Sequence, residues 1–126
     1  MAEAIRQMVA DKIKADNAGF IVKAFPVSLP EALTKVYVSV YRETLTNAPQ
    51  LAAVTESLKI VVIGPKIGTD VAENELEDAL DAVLRSVQAL NYIQWSTAER
   101  ATFSDKYQGY EINLTANTEN PYKASA

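Results

Sequence analysis

Residues 69–115 constrain this chain more than any other stretch. TDVAENELEDALDAVLRSVQAL is an acidic amphipathic helix, and YIQWSTAERATFSDKYQGYEINLT, which follows it, is an aromatic β-hairpin. In the helix, Leu76, Leu80, Val83, Val87 and Leu90 recur at steps of three and four and form one apolar stripe. Glu73, Glu77, Asp81 and Arg85 recur at steps of four on the outer face. Thr69 or Asp70 is the N-cap, and Asn91 is the expected C-cap. The hairpin predicts strands over Ile93–Phe103 and Tyr110–Ala116, joined by a Ser104–Gly109 loop. A helix with one apolar stripe and a two-stranded unit must bury those faces against each other or against a larger sheet.

The rest of the chain supplies that sheet. Residues 2–15 read as a helix with Ile5, Met8, Val9 and Ile13 on one face, ended by Asn17-Ala18-Gly19. Phe20–Phe25 is a short strand closed by Pro26. Leu33–Thr44 is a stronger strand: Val36, Val38 and Val40 point to the core, and Tyr37, Ser39 and Tyr41 point to a half-polar face, either surface or interface. Leu45–Val54, with Asn47-Ala48-Pro49, reads as a connecting loop. Ser57–Ile63 (SLKIVVI) is nearly continuous apolar sequence, as expected of a central strand covered on both faces. The order α-β-β-β-α-β-β predicts an α+β fold, a mainly antiparallel sheet with two helices packed against it and room for one crossover. Residues 1–116 make one domain, and 117–126 read as a flexible tail.

Composition removes whole classes of chemistry. The chain has no cysteine and no histidine, so disulfides, thiolate sites and Ser–His or Cys–His catalysis are excluded. The formal net charge of −4 argues against a grip on phosphate backbones. No apolar run is long enough to span a bilayer, and no secretory signal is visible, so the product is expected in the cytoplasm where it is made. Asn113-Leu114-Thr115 therefore reads as a chance glycosylation match.

Three segments invite a functional reading, and each has a plainer one. IVVIGPKIGTD (60–70) occupies the place of a phosphate loop but lacks GxxxxGK[ST], and Pro65 has no N–H to give. Glu73, Glu77, Asp78 and Asp81 spread along one helix face rather than converging on an ion. Tyr37, Tyr41, Trp95, Phe103, Tyr107 and Tyr110 suggest a base-stacking platform, but the nearby Lys35, Arg42, Arg100 and Lys106 are offset by Glu43, Glu99, Asp105 and Glu111. Core packing plus a protein interface accounts for them better. No catalytic residue, metal or cofactor is expected.

The run ALDAVLRSVQALNYIQWSTAERATFSDKYQGYEINLT (79–115), and within it LDAVL, WSTAER and YEINLT, resembles the C-terminal half of the tail terminator proteins of long-tailed bacteriophages. The resemblance extends more loosely over the chain length, the leading helix and SLKIVVIGPK. It implies a structural virion protein at the head-proximal end of the tail, assembled in the host cytoplasm. The expected partners are copies of itself in a hexameric ring, the tail tube protein and a head-completion protein. DNA would pass through the ring without specific binding, and no membrane is involved. The interface candidates are Tyr37, Tyr41, Arg42, Asn47, Glu73, Glu77, Asp81 and Arg85. The alternatives are another neck, head-completion or tube protein, or a small divalent-metal enzyme in which Glu73 or Glu77 faces Glu99 or Glu111.

Overall fold

The computed structural model describes residues 5–25, 35–48, 53–65, 69–103 and 107–119; for 47, 48, 53 and 117–119 it describes backbone only. The elements are α1 (Ile5–Asp16), β1 (Ile21–Lys23), β2 (Tyr37–Ala48), β3 (Ala53–Ile63), α2 (Asp70–Gln88), β4 (Ile93–Phe103) and β5 (Tyr107–Glu119). They form an α+β fold. One five-stranded sheet has the order β1-β2-β3-β5-β4. β1 pairs parallel with β2, and the other neighbours are antiparallel. The path from β3 through α2 to β4 steps over the position of β5 and is the expected crossover.

β3 is the central strand, as its sequence predicts. Leu58, Ile60 and Val62 are fully buried on one face, and Val61 and Ile63 are buried on the other. The first face meets both helices. Ile5, Val9 and Ile13 of α1 and Ala79, Val83 and Val87 of α2 join Val38, Val40, Leu58, Ile60, Val62, Ile112 and Leu114 in a single core. Of the α2 stripe, Leu76, Val83 and Val87 are buried, while Leu80 and Leu90 pack at the margin. Two polar contacts fix the helices. The Ser86 hydroxyl, itself buried, donates to Asp16 Oδ2 at 2.8 Å and ties α2 to the end of α1. Arg6 of α1 donates to the Ala24 carbonyl after β1.

Several boundaries move. Leu45–Val54 is not a loop: β2 continues to Ala48 and β3 starts at Ala53, with Leu45 paired to Glu56 and Asn47 to Val54. Residues 49–52 lie outside the described residues. The turn-forming Asn47-Ala48-Pro49 pulled the expected boundary too early, although Thr44-Leu45-Thr46 already alternates as a strand does. β5 likewise begins at Tyr107 rather than Tyr110. It also runs past Ala116, since Asn117, Thr118 and Glu119 pair with Thr55, Val54 and Ala53. That much of the expected tail is sheet, and 120–126 lie outside the described residues.

The C-cap of α2 is Ala89 rather than Asn91, and the N-cap is Thr69, whose Oγ1 accepts the Ala72 N–H at 3.0 Å. β1 is shorter than Phe20–Phe25. The start of β2 is Tyr37, with Val36 just outside it; 33 and 34, like 2–4 of the first helix, lie outside the described residues.

Candidate assembly surfaces

No described helix covers the second face of the sheet. At one end it carries a small cluster of Tyr37, Val61, Ile63 and Tyr107, flanked by Ile21, Tyr41 and Phe103. Gly109 keeps this end thin: a Cβ there would run into the Val62 carbonyl and come within 2.8 Å of the Phe103 ring. Farther along, Lys59 lies 3.4 Å from Glu43 and 3.3 Å from Glu111. Partial burial alone would depress the Lys59 pKa, but the hydrogen bonds and charges of Glu111 and Glu43 outweigh it and raise the pKa above the ordinary lysine value. Glu99 stands opposite Glu111 in the β4–β5 register and adds a third carboxylate to this face.

The expected interface residues divide among different surfaces. Tyr37 is buried in the apolar cluster, and Tyr41 borders it half-buried; burial raises the pKa of both phenols. Arg42 is exposed on β2, 3.5 Å from Glu56. Asn47 lies near the end of β2, in strand rather than loop. Glu73 is turned toward the sheet and pairs with Arg100 of β4, so it does not belong to an outward row. That pair's hydrogen bond lowers the Glu73 pKa and raises that of Arg100. The Arg100 guanidinium also sits 5.7 Å from the Tyr110 ring centroid. Glu77, Asp81 and Arg85 are exposed. Asp81 and Arg85 line a hollow of about 280 Å³ with Leu84, Gln88 and Trp95. A larger hollow, about 380 Å³, opens at the start of α2 between Thr69, Asp70, Glu73, Leu76, Arg100 and Gln108. The acids at its mouth suit an anion poorly.

Two arrangements that the alternative readings require are not assembled among the described residues. Glu73 lies on the helix side of the sheet, while Glu99 and Glu111 project from the opposite face, so the acids proposed to converge are separated by the sheet. Among the described residues no group of three or more acids is placed to hold a metal ion. The aromatic residues do not form one platform either. Tyr37, Tyr41, Phe103 and Tyr107 belong to the uncovered face, whereas Trp95 and Tyr110 pair with or lie beside helix-facing positions, Trp95 donating to Gln88 of α2 at 3.2 Å. Asn113 of the glycosylation match spends its amide on Thr97 Oγ1 at 3.0 Å.

The features that sequence reasoning did not locate are the edges of the sheet. Among the described residues β4 is an outer strand along its whole length. At the other side, β1 covers only Tyr37–Ser39, so among the described residues β2 has no neighbour on that side from Val40 onward. Natural edges are usually guarded by Pro, Lys or extreme shortness. Neither Val40–Ala48 nor Ile93–Phe103 contains Pro or Lys. Each does carry one bulge, at Glu43 and at Ser96.

No helix among the described residues is long and apolar enough to cross a membrane. The chain matches no protein-family model and no curated protein.

Proposed function

We propose that this chain is a structural virion protein of the tail terminator type. It closes into a ring on the last ring of the tail tube, ends tube growth and presents the surface that joins the head. The observation that carries the reading is the pair of unlike edges, β2 beyond Ser39 and the outside of β4. Unlike patches on one subunit are what a head-to-tail ring requires. The resemblance of 79–115 to tail terminators supplies the biological setting. The acidic outer side of α2, at Glu77 and Asp81, and the net charge of −4 suit a part that lets DNA pass without holding it.

The test is made in virions. Removing the protein is expected to give tails of uncontrolled length that do not join heads. Glu77→Lys with Asp81→Lys is expected to impair tail-length control or head joining. Uniform, joined tails without the protein would overturn the function. Normal tails in the double variant would remove the α2 face from the interface. Electron microscopy of the purified chain separates a terminator, which stops at a closed ring, from a tube subunit, which grows indefinitely.

A further inference from the structure

We infer that the ring seam is a β-sheet seam: residues Thr97–Phe103 of one copy pair antiparallel with Tyr41–Ala48 of the next. This rests on the ring reading above and specifies the contact that makes it. Polarity allows the pairing directly. β2, β3, β5 and β4 alternate in direction across the sheet, so β2 and β4 run opposite ways. A second copy placed edge to edge in the same orientation therefore presents β2 antiparallel to β4 and keeps the helix side continuous.

Three features of the molecule narrow the register. First, β1 occupies the edge of β2 through Ser39, so a neighbour can begin no earlier than Val40. Second, β4 has its bulge between Trp95 and Thr97 and is regular from Thr97 to Phe103. Third, side chains must keep their faces, because a one-residue slip sends every one to the wrong side. Phe103, Ala101, Glu99 and Thr97 belong to the uncovered face, as do Tyr41, Thr44 and Thr46; Thr102, Arg100 and Ala98 belong to the helix face, as do Arg42 and Leu45.

Setting Phe103 opposite the neighbour's Tyr41 satisfies all three. Thr102 then meets Arg42, the β2 bulge absorbs Glu43, Ala101 meets Thr44, Arg100 meets Leu45, Glu99 meets Thr46 and Ala98 meets Asn47. No like charges are opposed. The exposed Leu45 gains the stem of Arg100. Tyr41 and Phe103 flank the apolar cluster of a single copy from opposite edges, so their meeting makes that cluster continuous across the seam.

The competing registers are poorer. Slipping the strands so that Thr102 faces Val40 sets Arg100 against Arg42, and slipping them the other way shortens the seam. Two-fold pairing of β4 with itself opposes Glu99 to Glu99 or Arg100 to Arg100 when centred on either residue; centred elsewhere within the regular stretch Thr97–Phe103 it is shorter than the seam above, and it closes as a dimer.

The chain has no cysteine, so crosslinking reads this register cleanly. Thr44→Cys with Ala101→Cys in one chain is expected to give, on mild oxidation, a ladder of linked chains that ends at the ring size. Either single variant is expected to stay unlinked. Thr46→Cys with Glu99→Cys checks the adjacent pair and guards against a local folding defect in the first. An oligomer that forms yet yields no ladder from either double variant overturns the seam and leaves the ring reading standing. A ladder that continues into fibres supports the seam and removes the terminator reading. A two-chain product from Ala101→Cys alone replaces the seam with two-fold pairing. A chain that stays monomeric and unlinked on its own and on tail tubes overturns both.

Discussion

The two faces of the sheet are built from alternate residues of the same strands, and they behave as different materials. Lys59 and Ile60 are neighbours in β3; Ile60 is fully buried under the helices, while Lys59 stands among carboxylates on the uncovered face. The middle of the helix side is aliphatic and closed, and the buried Ser86 hydroxyl there is paired with Asp16. The other side mixes a small aromatic cluster with charge. The closed aliphatic core lies on the first face, and no described helix covers the second. The difference follows from period-two alternation in strands that feed two helices to one side only.

The sharpest way to break this contrast is to truncate one residue on each face. Ile60→Ala removes a fully buried side chain from the central strand and is expected to cost about 2–5 kcal/mol in urea unfolding. Lys59→Met, one position away, removes the cation between Glu43 and Glu111 and is expected to change stability by no more than about 1 kcal/mol. Equal losses in the two variants would show that the second face is as closed as the first. The smallest effect concerns pH. Hydrogen bonds from Lys12 and Ser86 hold the Asp16 carboxyl below its ordinary value of 3.8. A carboxylate depressed in the folded state contributes fully above its unfolded pKa, and the contribution disappears as pH falls through the folded value. Asp16→Asn should therefore lower stability slightly at neutral pH, make no difference at pH values where Asp16 is already protonated, and so flatten the acid limb of the stability curve below about pH 4. An unaltered acid limb would mean that the tie between α1 and α2 is not what titrates there.

Local reading succeeded where a segment's own pattern decided its fate. The α2 stripe, the bounds of β4, the double-sided burial of SLKIVVI and the α+β order follow from periodicity and caps. It failed at Leu45–Val54 because Asn47-Ala48-Pro49 is turn chemistry whether a hairpin turns early or late, and the partner strand sets where it turns. It failed for Glu73 because a four-residue step places it with Glu77 and Asp81, while Arg100, distant in sequence, draws it toward the sheet. The expected site residues were scattered for the same reason. Tyr37 was absorbed by its own face, whereas Tyr41, Arg42 and Asn47 share the β2 edge.

The sequence by itself determined the number and kind of elements, the central strand, the buried face of α2 and the absence of thiol and imidazole chemistry, because each depends on residue identity and short-range spacing. Only the tertiary structure decided the strand order, which acids face one another and which strands lie at the edges among the described residues. Those depend on pairings between segments far apart in the chain, and no local pattern encodes which strand ends up at the edge.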